Sequence, residues 1–133
     1  ARFGVTFLKL GLIPGDGGAW LTPRIVGWSR ACELLFTGEI LDAQTACDWG
    51  FVSRVVAPEA LMTEAAAMAD KIAAQPPHAL RATKALMRQG QMTSFDTIME
   101  MSASTQGLMH HTDDHMEGVN AILEKRAAHF TGQ

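Results

Sequence analysis

The chain has 133 residues, a formal net charge of −3, and 47% hydrophobic against 19% charged residues. That is enough for one domain, too few for two ordinary ones, and too apolar for a disordered segment. The acidic balance argues against a nucleic-acid surface, and no stretch approaches the 18 unbroken apolar residues of a membrane span.

The opening Ala1 to Phe7 alternates roughly apolar and polar and reads as a short strand. A lone strand is not stable, so its partners must come from elsewhere. Ala1 to Leu10 has no charged n-region ahead of a long apolar core, so no signal peptide is expected. Gly11 to Gly18 is a turn rich in breakers. A short helix is predicted over Ala19 to Val26, with Asp16 or a neighbouring glycine near its N-cap. A second helix, about Arg30 to Phe36, stops at Gly38, and Asp42 caps a third over Ala43 to Trp49. Phe51 to Val56 reads as a second strand. From Pro58 onward the pattern is helical. Leu61, Ala65, Met68 and Ile72 mark one amphipathic face, and Pro76-Pro77 breaks the chain. A helix over about His78 to Gln89 ends at Gly90. Ser94 caps the next, with Phe95, Ile98, Met99 and Met109 inward. Thr112 caps the last, with Met116, Val119, Leu123 and Ala127 in one stripe. Cys32 and Cys47 are too few for a disulfide scaffold or a zinc site, which points to reduced thiols and a cytoplasmic location. A mean hydropathy of +0.05 is high for a lone soluble domain and implies apolar surface meant for another chain or for a missing piece of its own.

The run Leu10-Gly11-Leu12-Ile13-Pro14-Gly15-Asp16-Gly17-Gly18, together with Phe3-Gly4, Arg24-Ile25-Val26-Gly27, Glu33-Leu34-Leu35-Phe36-Thr37-Gly38, Gly50-Phe51-Val52 and Glu124-Lys125-Arg126, resembles the enoyl-CoA hydratase/isomerase family, the crotonases. The match spans essentially the whole chain in order. The resemblance implies an α/β crotonase-like spiral fold, of which this chain is the C-terminal portion, mostly α-helical with two short strands. Residues 1–56 would end the spiral core and residues 57–133 would form the helical trimerisation region. The implied function is that of the C-terminal part of a lyase or isomerase of fatty acid metabolism, acting on an acyl-CoA thioester through a stabilised enolate. In that family two fixed N–H donors stabilise the developing oxyanion, each worth ~3–4 kcal/mol, and acid/base groups select the outcome. Coenzyme A enters as part of the substrate, and no cofactor or metal is implied. The implied partners are the acyl-CoA, the N-terminal half of the same enzyme, and like copies in a homotrimer or hexamer; nucleic acid and membrane are not expected.

Several residues carry the expected chemistry. Phe7 stands where the family's second glutamate follows Phe-Gly, and a phenyl ring moves no proton; Phe7, Pro14 and Gly15 are expected in the acyl pocket. Asp16 is the one acid/base candidate, although some branches of the family place such an aspartate one position earlier. Its alternative role is a helix cap, worth ~1 kcal/mol. Lys125 and Phe130 match the tail that reaches toward coenzyme A, with a frayed terminus as the alternative. Arg81, Lys84 and Arg88 form a basic face, either phosphate-binding or simply solvated. His111 and His115, at i and i+4 beside Asp113 and Asp114, read as a capped helix start rather than a metal site. The methionines of the tail read as core or trimer packing, or as a pliable acyl pocket. The rival to an enzyme is a catalytically incomplete fragment, serving only as an acyl/CoA-binding and trimer-assembly module.

Overall fold

A computed structural model describes residues 1–133 as two compact units, Ala1–Leu61 and Met62–Gln133. The first contains β1 (Arg2–Gly4), a 3-10 turn (Phe7–Leu10), α1 (Gly18–Val26), α2 (Trp28–Thr37), β2 (Ile40–Asp42) and α3 (Ala43–Asp48). β1 and β2 are antiparallel, pairing Arg2 with Asp42, Phe3 with Leu41 and Gly4 with Ile40. The expected first strand is therefore shorter than its alternating pattern. After Gly4 the chain tightens, the Lys9 N–H donating to the Thr6 carbonyl, until Gly11 (φ 69°) ends the turn.

The second strand lies at Ile40–Asp42, not at Phe51 to Val56 as the sequence pattern predicted. Beyond α3, the Phe51 and Val52 N–H groups both turn back onto the Ala46 carbonyl, at 2.8 and 3.3 Å, and cannot serve a ladder. Ile40–Asp42 escaped notice because three residues between a helix-ending glycine and a helix-capping aspartate are too short to show alternation.

The core of this unit is Leu34 (1% exposed), Leu41 and Ala46, with Phe3, Val5, Trp49, Phe51 and Val52 packed around it. Phe3 and Phe51 meet as tilted rings 5.7 Å apart. Burying Leu34 alone contributes about 1.5–3 kcal/mol. α1 packs on α2. α2 closes with Gly38 at φ 61°, a left-handed backbone that favours glycine, with the movable Lys9 side chain packed over it. Asp42 caps α3 as expected, accepting from the Thr45 N–H at 2.7 Å, and that bond lowers its pKa.

A 3-10 turn over Pro58–Ala60 leads into α4 (Leu61–Ala73). The second unit then holds α5 (Pro77–Gly90), α6 (Phe95–Met109) and α7 (Asp113–Leu123), with α5 against α6. Pro77 opens α5 without losing a needed N–H. Ser94 and Thr112 cap α6 and α7, accepting from the Thr97 and His115 N–H groups. All three starts match the sequence reading.

The predicted inner faces match less well. Leu61, Ile72, Phe95 and Met99 are exposed in this chain, while Met68, Ile98 and Met109 are half-buried. On α7 the stripe Met116, Val119 and Leu123 faces outward and Ala127 lies past the helix; Asp114 and Ala121 are the buried pair. Met87, Met92 and Met101 are also exposed. Apolar periodicity marks which face is sticky, but here it does not mark what the chain itself covers. No helix is long and apolar enough to cross a membrane.

Candidate functional site

In the first unit, the turn ahead of α1 is built on backbone that only glycine adopts readily. Gly17 (φ 89°) is the N-cap, and its carbonyl accepts from the Trp20 and Leu21 N–H groups. Asp16 sits one residue earlier, where its Oδ1 accepts from the Gly18 N–H at 2.9 Å. The carboxylate thus serves one of the free donors of the first turn while remaining exposed.

Beside this turn lies an apolar cavity of about 280 Å³, walled by Leu8, Ile13, Pro14, Trp28, Cys32 and Phe36 among others. Pro14 is the only expected pocket residue in that wall. Phe7, Gly15 and Asp16 are absent from it. Phe7 is half-buried at the head of the 3-10 turn, its carbonyl accepting from the Leu12 N–H at 3.0 Å. Leu8, Trp28 and Cys32 are wall residues that the sequence reading passed over. Trp28 and Cys32 stand at i and i+4 on α2 with Phe36 a further turn on, one helical face, whereas Leu8 comes from the 3-10 turn.

The second unit brings the end of the chain back onto α7. Asp114 is 3% exposed and accepts from the Thr131 N–H at 2.7 Å on Oδ1 and from the Gly132 N–H at 2.9 Å on Oδ2. Glu117 receives both Arg126 Nη atoms, at 2.6 and 2.7 Å, and the His129 N–H at 2.7 Å. The Arg126 guanidinium first, and then the His129 N–H, hold the Glu117 carboxyl at a pKa of about 2, while Arg126 is held still more firmly protonated. His78 Nε2 meets the Gly132 carbonyl at 2.7 Å, and the Asp113 N–H donates to the Gln133 carbonyl at 2.8 Å.

A cavity of about 520 Å³ opens here, lined among others by His78, Met109, Asp114, His115, Arg126 and Phe130. Phe130 is half-buried in its wall, whereas Lys125 does not line it. Lys125 is exposed at φ 54°, the only non-glycine residue at positive φ. It occupies the left-handed position that ends α7: its own N–H donates to the Ile122 carbonyl and the Arg126 N–H to that of Ala121. This is the Schellman pattern, usually completed by glycine.

His110 and His115, rather than His111 and His115, form the histidine pair. His110 Nδ1 and His115 Nε2 lie 3.1 Å apart with the rings edge-on. No three His, Cys, Asp or Glu side chains gather closely enough to hold a metal. Arg81, Lys84 and Arg88 stand exposed on α5, and Arg81 reaches His78 Nδ1 at 3.1 Å.

The helix order, the glycine turn and the returning tail define a crotonase-like fold, and the family comparison agrees over every residue. Residues 1–133 match enoyl-CoA hydratase/isomerase, and the chain belongs to that family. It is 38% identical over its full length to 1,2-epoxyphenylacetyl-CoA isomerase of Escherichia coli (strain K12), covering 51% of that protein. It is 39% identical to crotonyl-CoA hydratase of Syntrophomonas wolfei, with 98% of this chain and 50% of the relative aligned. Among solved structures, an enoyl-CoA hydratase from Bacillus anthracis matches with a TM-score of 0.97 at 36% identity, covering all of this chain and 52% of the other. The chain therefore spans about half the length of the relatives it matches.

Proposed function

We propose that this chain is the C-terminal half of a crotonase-type enzyme, with a spiral-core end over residues 1–56 and a trimer-forming helical region over residues 57–133. The observation that carries the reading is coverage: all of this chain aligns, yet only about half of each relative is accounted for. The other half would supply the oxyanion donors and a first carboxylate. In the reaction, a carboxylate takes a proton from an acyl carbon. The electron pair moves into the thioester carbonyl as an enolate, and the proton returns at another carbon.

Asp16 is the acid/base candidate on this chain, because Phe7 occupies the place of the family's second glutamate. Pro14 and the apolar wall around it suit an acyl chain, with Phe7 and Gly15 flanking it in sequence. Lys125 and Phe130 would meet coenzyme A. The left-handed backbone at Lys125 supports that role, because a lysine kept where glycine costs less argues for a use of its side chain. The exposed apolar residues of both units suit the missing half and like copies in a trimer. The work is expected in the cytoplasm, with the thioester as substrate and no separate cofactor.

A second reading, a binding and assembly module without turnover, draws on the same Phe7 and on an Asp16 already engaged by the Gly18 N–H. Native mass spectrometry, followed by a hydratase and isomerase assay on crotonyl-CoA and related thioesters, separates the two. Turnover by the chain assembled with an N-terminal half supports the enzyme. Trimers that bind coenzyme A without turnover favour the module.

A further inference from the structure

We infer that Asp114 is a positioning residue: its buried carboxylate latches the final residues of the chain and thereby holds Phe130 in the cavity wall beside α7. The inference rests on the reading that Phe130 meets the coenzyme. A buried carboxylate is unfavourable unless its oxygens are bonded. Here each oxygen takes one tail N–H, from Thr131 and from Gly132. Asp114 also lies in the first turn of α7, where the helix field favours a negative charge.

The latch has a second side. Gly132 (φ 78°) lies so close to α5 that a Cβ would fall 2.8 Å from the Pro77 Cγ, and its carbonyl meets His78. Upstream, Glu117 holds Arg126 and the His129 N–H. The backbone is therefore fixed at 126 and 129 on one side of Phe130 and at 131 and 132 on the other. Between these clamps the Phe130 ring lies against Gly118, 3.6 Å from where a Cβ would stand. The same ring also lines a second cavity of about 350 Å³, with Gln75, Pro77 and Thr131 among its other walls.

The test pairs amide hydrogen exchange with a double-mutant cycle. In Asp114→Asn, which turns one of the two acceptor oxygens into an NH2, at least one of the Thr131 and Gly132 amides should exchange about tenfold faster or more. In the assembled enzyme, Asp114→Asn and Phe130→Ala should each weaken coenzyme A binding by about tenfold, and the double variant should lose about tenfold, not a hundredfold, because one residue acts through the other. Gly132→Ala, which pushes the tail off Pro77 while leaving the Asp114 side chain in place, should reproduce both effects. Unchanged exchange in Asp114→Asn overturns the latch, and a hundredfold loss in the double variant overturns the positioning role. If the parent binds no coenzyme A, the coenzyme contact itself falls, and exchange alone then decides whether the latch exists.

Discussion

Asp16→Asn and Asp16→Ala together separate the two roles open to this carboxylate. Its one hydrogen bond accepts from the Gly18 N–H at 2.9 Å, at an exposed helix start. Alanine removes that acceptor and should cost about 1 kcal/mol, the usual worth of a cap, or a drop in Tm of about 3–5 °C for a chain of this size. Asparagine keeps an Oδ1 in the same place and should melt within about 1 °C of the parent. If the carboxylate moves the substrate's proton, asparagine should still lower kcat at least ~100-fold, about 2.7 kcal/mol of barrier. The assay follows crotonyl-CoA turnover beside a thermal melt on the same preparation, for the chain assembled with its N-terminal half. An Asp16→Asn enzyme within about threefold of the parent refutes the acid/base role. An Asp16→Ala protein that melts with the parent refutes the cap.

Three further outcomes are expected. The Glu117 carboxyl is depressed from 4.5 to about 2, so its contribution is complete above its ordinary value and is lost as the pH falls from about 5 toward 2. Protection of the His129 amide, measured relative to its intrinsic exchange rate at each pH, should fall across that window, and Glu117→Gln should flatten the dependence. Lys125→Gly relieves a left-handed backbone that costs an L-residue about 1 kcal/mol. It should raise Tm by a few degrees in a scanning melt while weakening coenzyme A binding; a lower Tm would contradict the strain. Leu34→Ala should cost about 2–5 kcal/mol in urea unfolding, because Leu34 is 1% exposed at the centre of the first core.

Helix starts were the most legible part of the fold. Asp42, Ser94 and Thr112 announce theirs through a short acceptor side chain at the end of a turn, a local signal that tertiary packing did not override. Strand positions were poorly legible, since pairing Phe3 with Leu41 depends on contacts 38 residues apart (41 − 3) and on segments of three residues. The family was readable from ordered motifs, whereas the site was readable only in part. Pro14 and Phe130 each line a cavity, and Trp28 and Cys32 share one face of α2 at i and i+4, but nothing local marks Asp114 and Glu117 as the residues that hold the tail. A carboxylate that binds backbone N–H groups 17 or 18 residues away looks, in sequence, like any acidic residue in a first helical turn.

Every bond described for the returning tail is made to α5, to α7 or within the tail itself, all inside residues 62–133. The tail's conformation is thus written into a transferable cassette. Grafted onto a different crotonase core, this segment should keep the conformation of residues 126–132 with it. An exchange that cuts between Glu117 and Arg126 would instead separate both carboxylates from the groups they serve. For recombining members of this family, the natural seam lies ahead of α5, and residues 77–133 are best inherited as a piece.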